Sequence, residues 1–273
     1  LKRLGQMRPD DLWTKKAWLA LSVAGDGKVE LSKALKNVTE ASRGEPRMER
    51  LAHWLSGTTG ALSRLQDGRD ILATFLAEQK GKENDPYSAY PIVNILDRMD
   101  ASVMPDGTVW TLTHVVRLVQ TKSGVDRIGE ISPPRGSSLL ELRTIKANGD
   151  ILWPERVAGK DDISFSGLQP GDAVEWAWIT RDEVRKEEGG YLTGIAFSQW
   201  GIPTRFKRAS VELAPNLNLV LRLRNAAPTP KVTALGNGST RFFWEELDLP
   251  PIPREPRSAP ARVFFPFVDL AIA

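Results

Sequence analysis

The chain has 273 residues, no cysteine, two histidines and a formal net charge of +3. The missing cysteine excludes disulfides, thiolate zinc sites, iron–sulfur ligation and cysteine nucleophiles within these residues, and with only His53 and His114 a three-histidine metal site cannot be built from one chain. At about 100–200 residues per domain the length fits one large or two ordinary domains, and a chain of this size buries roughly 75% of its unfolded surface without covalent staples.

Charge and hydropathy narrow the partners. Residues 1–85 carry 15 Lys/Arg against 12 Asp/Glu, and the remaining 188 carry 22 against 22, so the whole excess is spread thinly over the first third. Nucleic-acid recognition needs a clustered basic stripe, so dispersed charge of this kind reads as solvated helix faces and no nucleic-acid partner is expected. No run of about 18 apolar residues is present, so no membrane span is expected. Leu1-Lys2-Arg3-Leu4 has no apolar segment behind it, unlike a signal peptide. The lack of an initiator methionine reads as a piece of something larger.

Residues 9–80 carry helical periodicity. Asp10 and Asp11 offer an N-cap, and Leu12, Trp13, Ala17, Ala20, Leu21 and Ala24 fall on one face before Gly25 and Gly27. Leu31, Ala34, Leu35 and Val38 form a second stripe, and Met48, Leu51, Ala52 and Leu55 a third. Ala61, Leu62 and Leu65 follow, and Ile71, Leu72, Phe75 and Leu76 make the last stripe. Trp18-Leu19 recurs as Trp54-Leu55, an echo near the period of helical-hairpin repeats, so the segment reads as a helical bundle or the end of a repeat array. The polar breaker Gly81 to Pro86 sets the expected boundary between a helical segment, 1–85, and a β domain, 86–273.

From residue 92 the period changes to two. Val109 to Val119 places Trp110, Leu112, His114, Val116 and Leu118 on one face. Asn148-Gly149 is a strong hairpin signal between Leu140–Ile145 and Ile151–Trp153. Val174, Trp176 and Trp178 alternate, as do Ala209, Val211 and Leu213, and Leu219, Leu221 and Leu223. Turns at Gln169–Asp172, Asn216–Asn218 and Gly236–Gly238 space the runs, giving roughly nine to twelve short strands and an expected antiparallel sandwich. Leu249 to Pro256 is proline-dense and expected to be extended. Val263 to Val268 reads as one more strand or an interdomain stitch. The expected class is α+β, multidomain: a helical segment followed by an antiparallel β-sandwich.

The search for chemistry is mostly negative. Gly25-Asp26-Gly27-Lys28 lacks the glycine and the Ser/Thr of a phosphate loop, no nucleophile elbow occurs, and no cofactor motif is found. His53 and His114 read as packed or rim side chains. The doublets Asp161-Asp162, Glu187-Glu188 and Glu245-Glu246 are sequence neighbours, which in a strand point to opposite faces, so none is by itself a hydrolytic pair. Calcium at Asp161-Asp162 lacks the further oxygens it needs. Among nine tryptophans, Trp200 beside Gly201-Ile202-Pro203 is the one expected to be exposed, and Trp200, Phe264, Phe265 and Phe267 form the candidate binding surface.

Several stretches share an order with a known family. Asp106-Gly107-Thr108 leads into a long strand and is followed by Gly124-Val125-Asp126-Arg127-Ile128-Gly129-Glu130 and Pro133-Pro134. Leu142 to Gly149, Leu168 to Trp176, Phe242 to Pro250 and Glu255-Pro256 come after them. Residues 92–270 taken this way resemble the bacterial domain of unknown function that precedes transglutaminase-like cores, which a helical, tetratricopeptide-like region can itself precede. The resemblance implies a non-catalytic module beside a Cys–His–Asp core, with that core or another protein as partner and a bacterial periplasmic or exported location. No catalytic residue, cofactor or metal site carries over. The alternative is a freestanding carbohydrate- or peptide-binding sandwich using exposed Trp, and a third is a carboxylate hydrolase.

Overall fold

The structure, a computed structural model, describes residues 65–82, 85–154, 162–184, 190–253 and 260–273. The expected helices before residue 65, together with His53, Asp161 and Glu187-Glu188, lie outside the described residues. What is described is rich in strands and poor in helices.

The last helical stripe becomes α1 (Gly68–Gln79). Asp67 caps it, its carboxylate accepting from the Arg69 N–H at 2.9 Å, as first-turn geometry favours. Leu72 and Phe75 are buried while Leu76 remains exposed. The chain then runs through β1 (Ile92–Val103), β2 (Thr108–Val119), α2 (Lys122–Ile128), β3 (Glu130–Ile131), β4 (Ser138–Ile145), β5 (Ile151–Leu152) and β6 (Ile163–Ser164). It continues with β7 (Ala173–Glu183), β8 (Tyr191–Ala196), β9 (Thr204–Leu213), β10 (Leu219–Arg224), β11 (Lys231–Ala234), β12 (Thr240–Leu249), α3 (Ala261–Phe264) and β13 (Phe267–Ile272).

Eight strands form one sheet in the order β11-β12-β9-β1-β2-β7-β4-β5, three form a second in the order β10-β13-β8, and β3 pairs with β6. The large sheet is mixed. Every neighbouring pair in it is antiparallel except β1 with β9, which run parallel from Asn94↔Thr204 to Val103↔Leu213. This corrects the all-antiparallel expectation. After β7 the chain leaves for β8 in the small sheet and returns as β9, and the direction of that return decides the pairing. The Asn148-Gly149 hairpin forms as expected: Gly149 has φ +89°, and Lys146 N–H donates to Asp150 O across the turn.

Both faces of the large sheet are covered, so its central strands carry apolar side chains on each side. On one face lies α1, whose Leu72 and Phe75 pack with Val93, Leu96, Val116 and Leu118. Phe75 meets Tyr87 edge-on at 5.5 Å, so the polar stretch near Asp85 joins two parts of one core. The other face carries two covers. The small sheet brings Ile195, Val268 and Leu270 onto Ala101, Val109, Val211 and Trp244. At the far end Ile128 of α2, with Ile163 and Phe165, packs on Val115, Leu142, Val174 and Trp176. The expected Val263–Val268 strand begins only at Phe267, after the single turn of α3.

Candidate functional site

Alternation along β2 and β7 sends neighbouring polar residues to opposite faces. His114 faces α1 and Arg117 faces the two covers. Glu175 and Trp176 divide in the same way. Two polar centres follow, one behind the other through the sheet.

The centre under α1 is closed. Glu175 is fully buried on β7. Its Oε1 accepts from the Gly68 N–H at 3.1 Å and lies 2.8 Å from His114 Nε2. Its Oε2 accepts from Arg143 Nε at 2.6 Å. The carboxylate is acceptor only, so His114 Nε2 carries the hydrogen. His114 Nδ1 is buried with no partner. Arg143 Nη2 also reaches Asp67 Oδ1 at 2.7 Å. Hydrogen bonds from Arg69, with the positive charge of Arg143, hold the Asp67 carboxyl well below the usual carboxylate range against the opposing effect of burial. Gly68 is required by close approach: a Cβ there would stand 2.4 Å from Glu175 Oε2. The sequence reading of His114 as a packed side chain describes this position, and the assembly locks α1 to the sheet.

The centre on the opposite face leaves Arg117 partly exposed. Arg117 Nε donates to Asn94 Oδ1 at 2.5 Å and Nη2 to Gln199 Oε1 at 3.2 Å. Its guanidinium lies 4.8 Å from the Trp176 ring centroid. Trp176 in turn stacks on Trp178 at 6.3 Å, with Phe165 beyond at 6.4 Å. Asp97, the nearest acid in this seam, is taken by Lys207 at 3.0 Å and by Gln199 Nε2 at 2.7 Å. Among the described residues Arg117 therefore has neutral hydrogen-bond partners only. Burial pulls it down to about 10, with Asp97 opposing and Arg127 adding to the effect.

The four surface residues singled out from sequence divide. Trp200 is half-buried, its ring 4.8 Å from Phe265 and 6.2 Å from Phe264. Phe264 is 50% exposed and its neighbour Val263 58%, whereas Phe265 is 3% exposed and belongs to the interior. Phe267 lies across Gly194, where a Cβ would sit 2.3 Å from Phe267 Cζ. Asn225 Nδ2 donates to the carbonyls of Val263 and Phe265, both at 2.9 Å, and fixes the turn that presents Phe264. Beside it, Arg222, Leu223, Arg224, Asn225, Arg262 and Val263 line an open groove of about 460 Å³. Asp269 pairs with Arg224 at 2.6 Å and Arg262 at 2.7 Å. Burial opposes ionisation of Asp269, but these two arginines outweigh it and its carboxyl titrates below the ordinary value.

Sequence reading missed Arg117, Gln199 and Asn225. The signal for Arg117 was a strand face, Thr111, Thr113, Val115, Arg117, that turns polar where a core is expected. Of the carboxylate doublets, Glu245 pairs with Arg208 at 2.6 Å and belongs to the surface of the sheet. Among the described residues no group of three His, Asp or Glu could hold a metal ion, and no helix is long and apolar enough to cross a membrane.

The chain matches no protein-family model, and no curated protein matches its sequence. Among solved structures it is similar to a "putative protease" from Parabacteroides distasonis ATCC 8503, with TM-score 0.52 and 13% identity, over 66% of this chain and 40% of that one. Weaker likenesses are to Legionella pneumophila aminopeptidase A, TM-score 0.34, 10% identity, 67% of this chain and 22% of that one, and to a two-domain M1 zinc metallopeptidase, TM-score 0.35, 10% identity, 66% and 42%. The chain thus spans less than half the length of each of these proteins. The first likeness establishes a shared fold.

Proposed function

We propose that the chain is a non-catalytic accessory module of a larger protein with a transglutaminase-like Cys–His–Asp core, and that it positions that core. The observation that carries the reading is the fold likeness: 66% of this chain matches 40% of the Parabacteroides protein, a longer chain that bears a protease description. The catalytic domain of the same polypeptide is the occupant assigned to the exposed Val263–Phe264 surface, which Trp200 backs and Asn225 holds in place. A single exposed aromatic on a fixed turn is the geometry of an anchor residue at an interface.

The experiment is an immunoblot of the source cells with an antibody to this chain, followed by peptide mass spectrometry of the band. A band well above 30 kDa that yields peptides of a Cys-bearing domain is expected. A sole species near 30.3 kDa overturns the reading. In the larger protein, Phe264→Ser is expected to expose the interdomain linker to limited proteolysis without lowering the melting temperature of the β domain.

A further inference from the structure

We infer that Arg117 anchors a carboxylate-binding site in the trough between the two covers of the large sheet. The site stands whether or not a catalytic domain adjoins the chain. The small sheet covers one part of this face and the α2 segment another. Between them Thr111, Thr113 and Trp178, all on central strands, stay partly accessible. Residues at the centre of an eight-stranded sheet keep access to solvent only where neither cover reaches.

Three observations point to a ligand. First, Arg117 has no carboxylate within ion-pair distance among the described residues, although thirteen such pairs are found elsewhere in them. A guanidinium largely withdrawn from water is ordinarily paired. Second, its Nη1 makes no hydrogen bond among the described residues, while Nε and Nη2 are held by Asn94 and Gln199. Those two amides fix the plane of the guanidinium and leave the Nη1 donors unused. Third, Trp178, partly accessible and stacked on the buried Trp176 over which the guanidinium lies, gives the body of a ligand an apolar wall near the cation.

The charge balance selects the anion. Lys207 is committed to Asp97, and the Asp97 carboxylate nearby disfavours a dianion. A planar monoanionic carboxylate matches one guanidinium edge. Its source is either a small free acid or the Glu or Asp side chain of a polypeptide.

The test titrates the full chain with N-acetyl-glutamate, with N-acetyl-glutamine, with inorganic phosphate, and with a short peptide carrying one central Glu. Tryptophan fluorescence and the Arg117 Nε–H resonance are the readouts. The glutamate probe is expected to saturate and to bind about 10- to 100-fold more tightly than the glutamine probe, the range of a charge-assisted hydrogen bond. Arg117→Gln should abolish that preference. Trp178→Ala, which leaves the cation in place, should weaken binding severalfold with the preference intact, so the idea survives a misfolded Arg117 variant, with circular dichroism as the check. Tighter binding of the peptide than of the free acid assigns the source to a polypeptide, and equal binding assigns it to small acids. Equal binding of acid and amide, preference for phosphate, absence of saturation, or an unchanged preference in Arg117→Gln overturns it.

Discussion

The same two strands build two polar centres with opposite electrostatics, and the contrast separates scaffold from site. Under α1, Glu175 meets His114, Arg143 and a backbone N–H, and nearly every donor has an acceptor. Behind it, Arg117 meets only amides and a tryptophan face. A buried charge in a closed circuit holds elements together. A buried charge left without its counterion lowers stability and is retained where something else supplies the counterion.

The comparison breaks most visibly at Glu175. Glu175→Ala leaves His114 Nε2 and Arg143 Nε buried without their acceptor and is expected to cost about 3–5 kcal/mol, the range for removing one partner of a buried pair, read by urea denaturation. Gly68→Ala drives a Cβ into the same carboxylate, which cannot swing aside because Arg143 and His114 hold it. It should cost about 1–3 kcal/mol and loosen α1, seen as faster amide exchange from Leu72 to Phe75. Arg117→Met sharpens the contrast. It removes an uncompensated cation and leaves two amide acceptors unpaired, so about 1–2 kcal/mol is expected, clearly less than at Glu175. A value equal to that of Glu175→Ala would show Arg117 to be structural.

The smallest effect is acid lability. The carboxyls of Asp67 and Asp269 both titrate below their ordinary values in the folded protein. The unfolded chain therefore takes up protons first as pH falls, and stability declines below about pH 4. It is fully present above that point. Melting temperature followed from pH 6 downward should stay flat and then drop, and Asp67→Asn should flatten part of the drop.

Much of the secondary structure was legible along the chain. The period-two runs gave β2, β4, β7 and β9, Asn148-Gly149 gave the β4–β5 hairpin, and Ile71–Leu76 gave α1. Trp176 and Trp178 share a face, as their spacing required. The candidate surface was legible in part: Phe264 is exposed, but Phe265, its sequence neighbour, points inward. Which of two adjacent aromatics faces solvent depends on the turn that Asn225, 38 and 40 residues away, holds open. The Arg117 seam was not read, because its partners come from β1 and from the β8–β9 connection.

By itself the sequence determined the switch from helical to strand periodicity, the turns and the absence of thiol chemistry, since these depend on local backbone preference and on composition. Tertiary structure alone decided that β1 and β9 run parallel, that α1 is clasped to the sheet through Glu175, and that Arg117 has no carboxylate partner among the described residues. Each of these depends on which distant strands become neighbours, and hydrophobic patterning specifies a face for a strand without specifying the strand beside it.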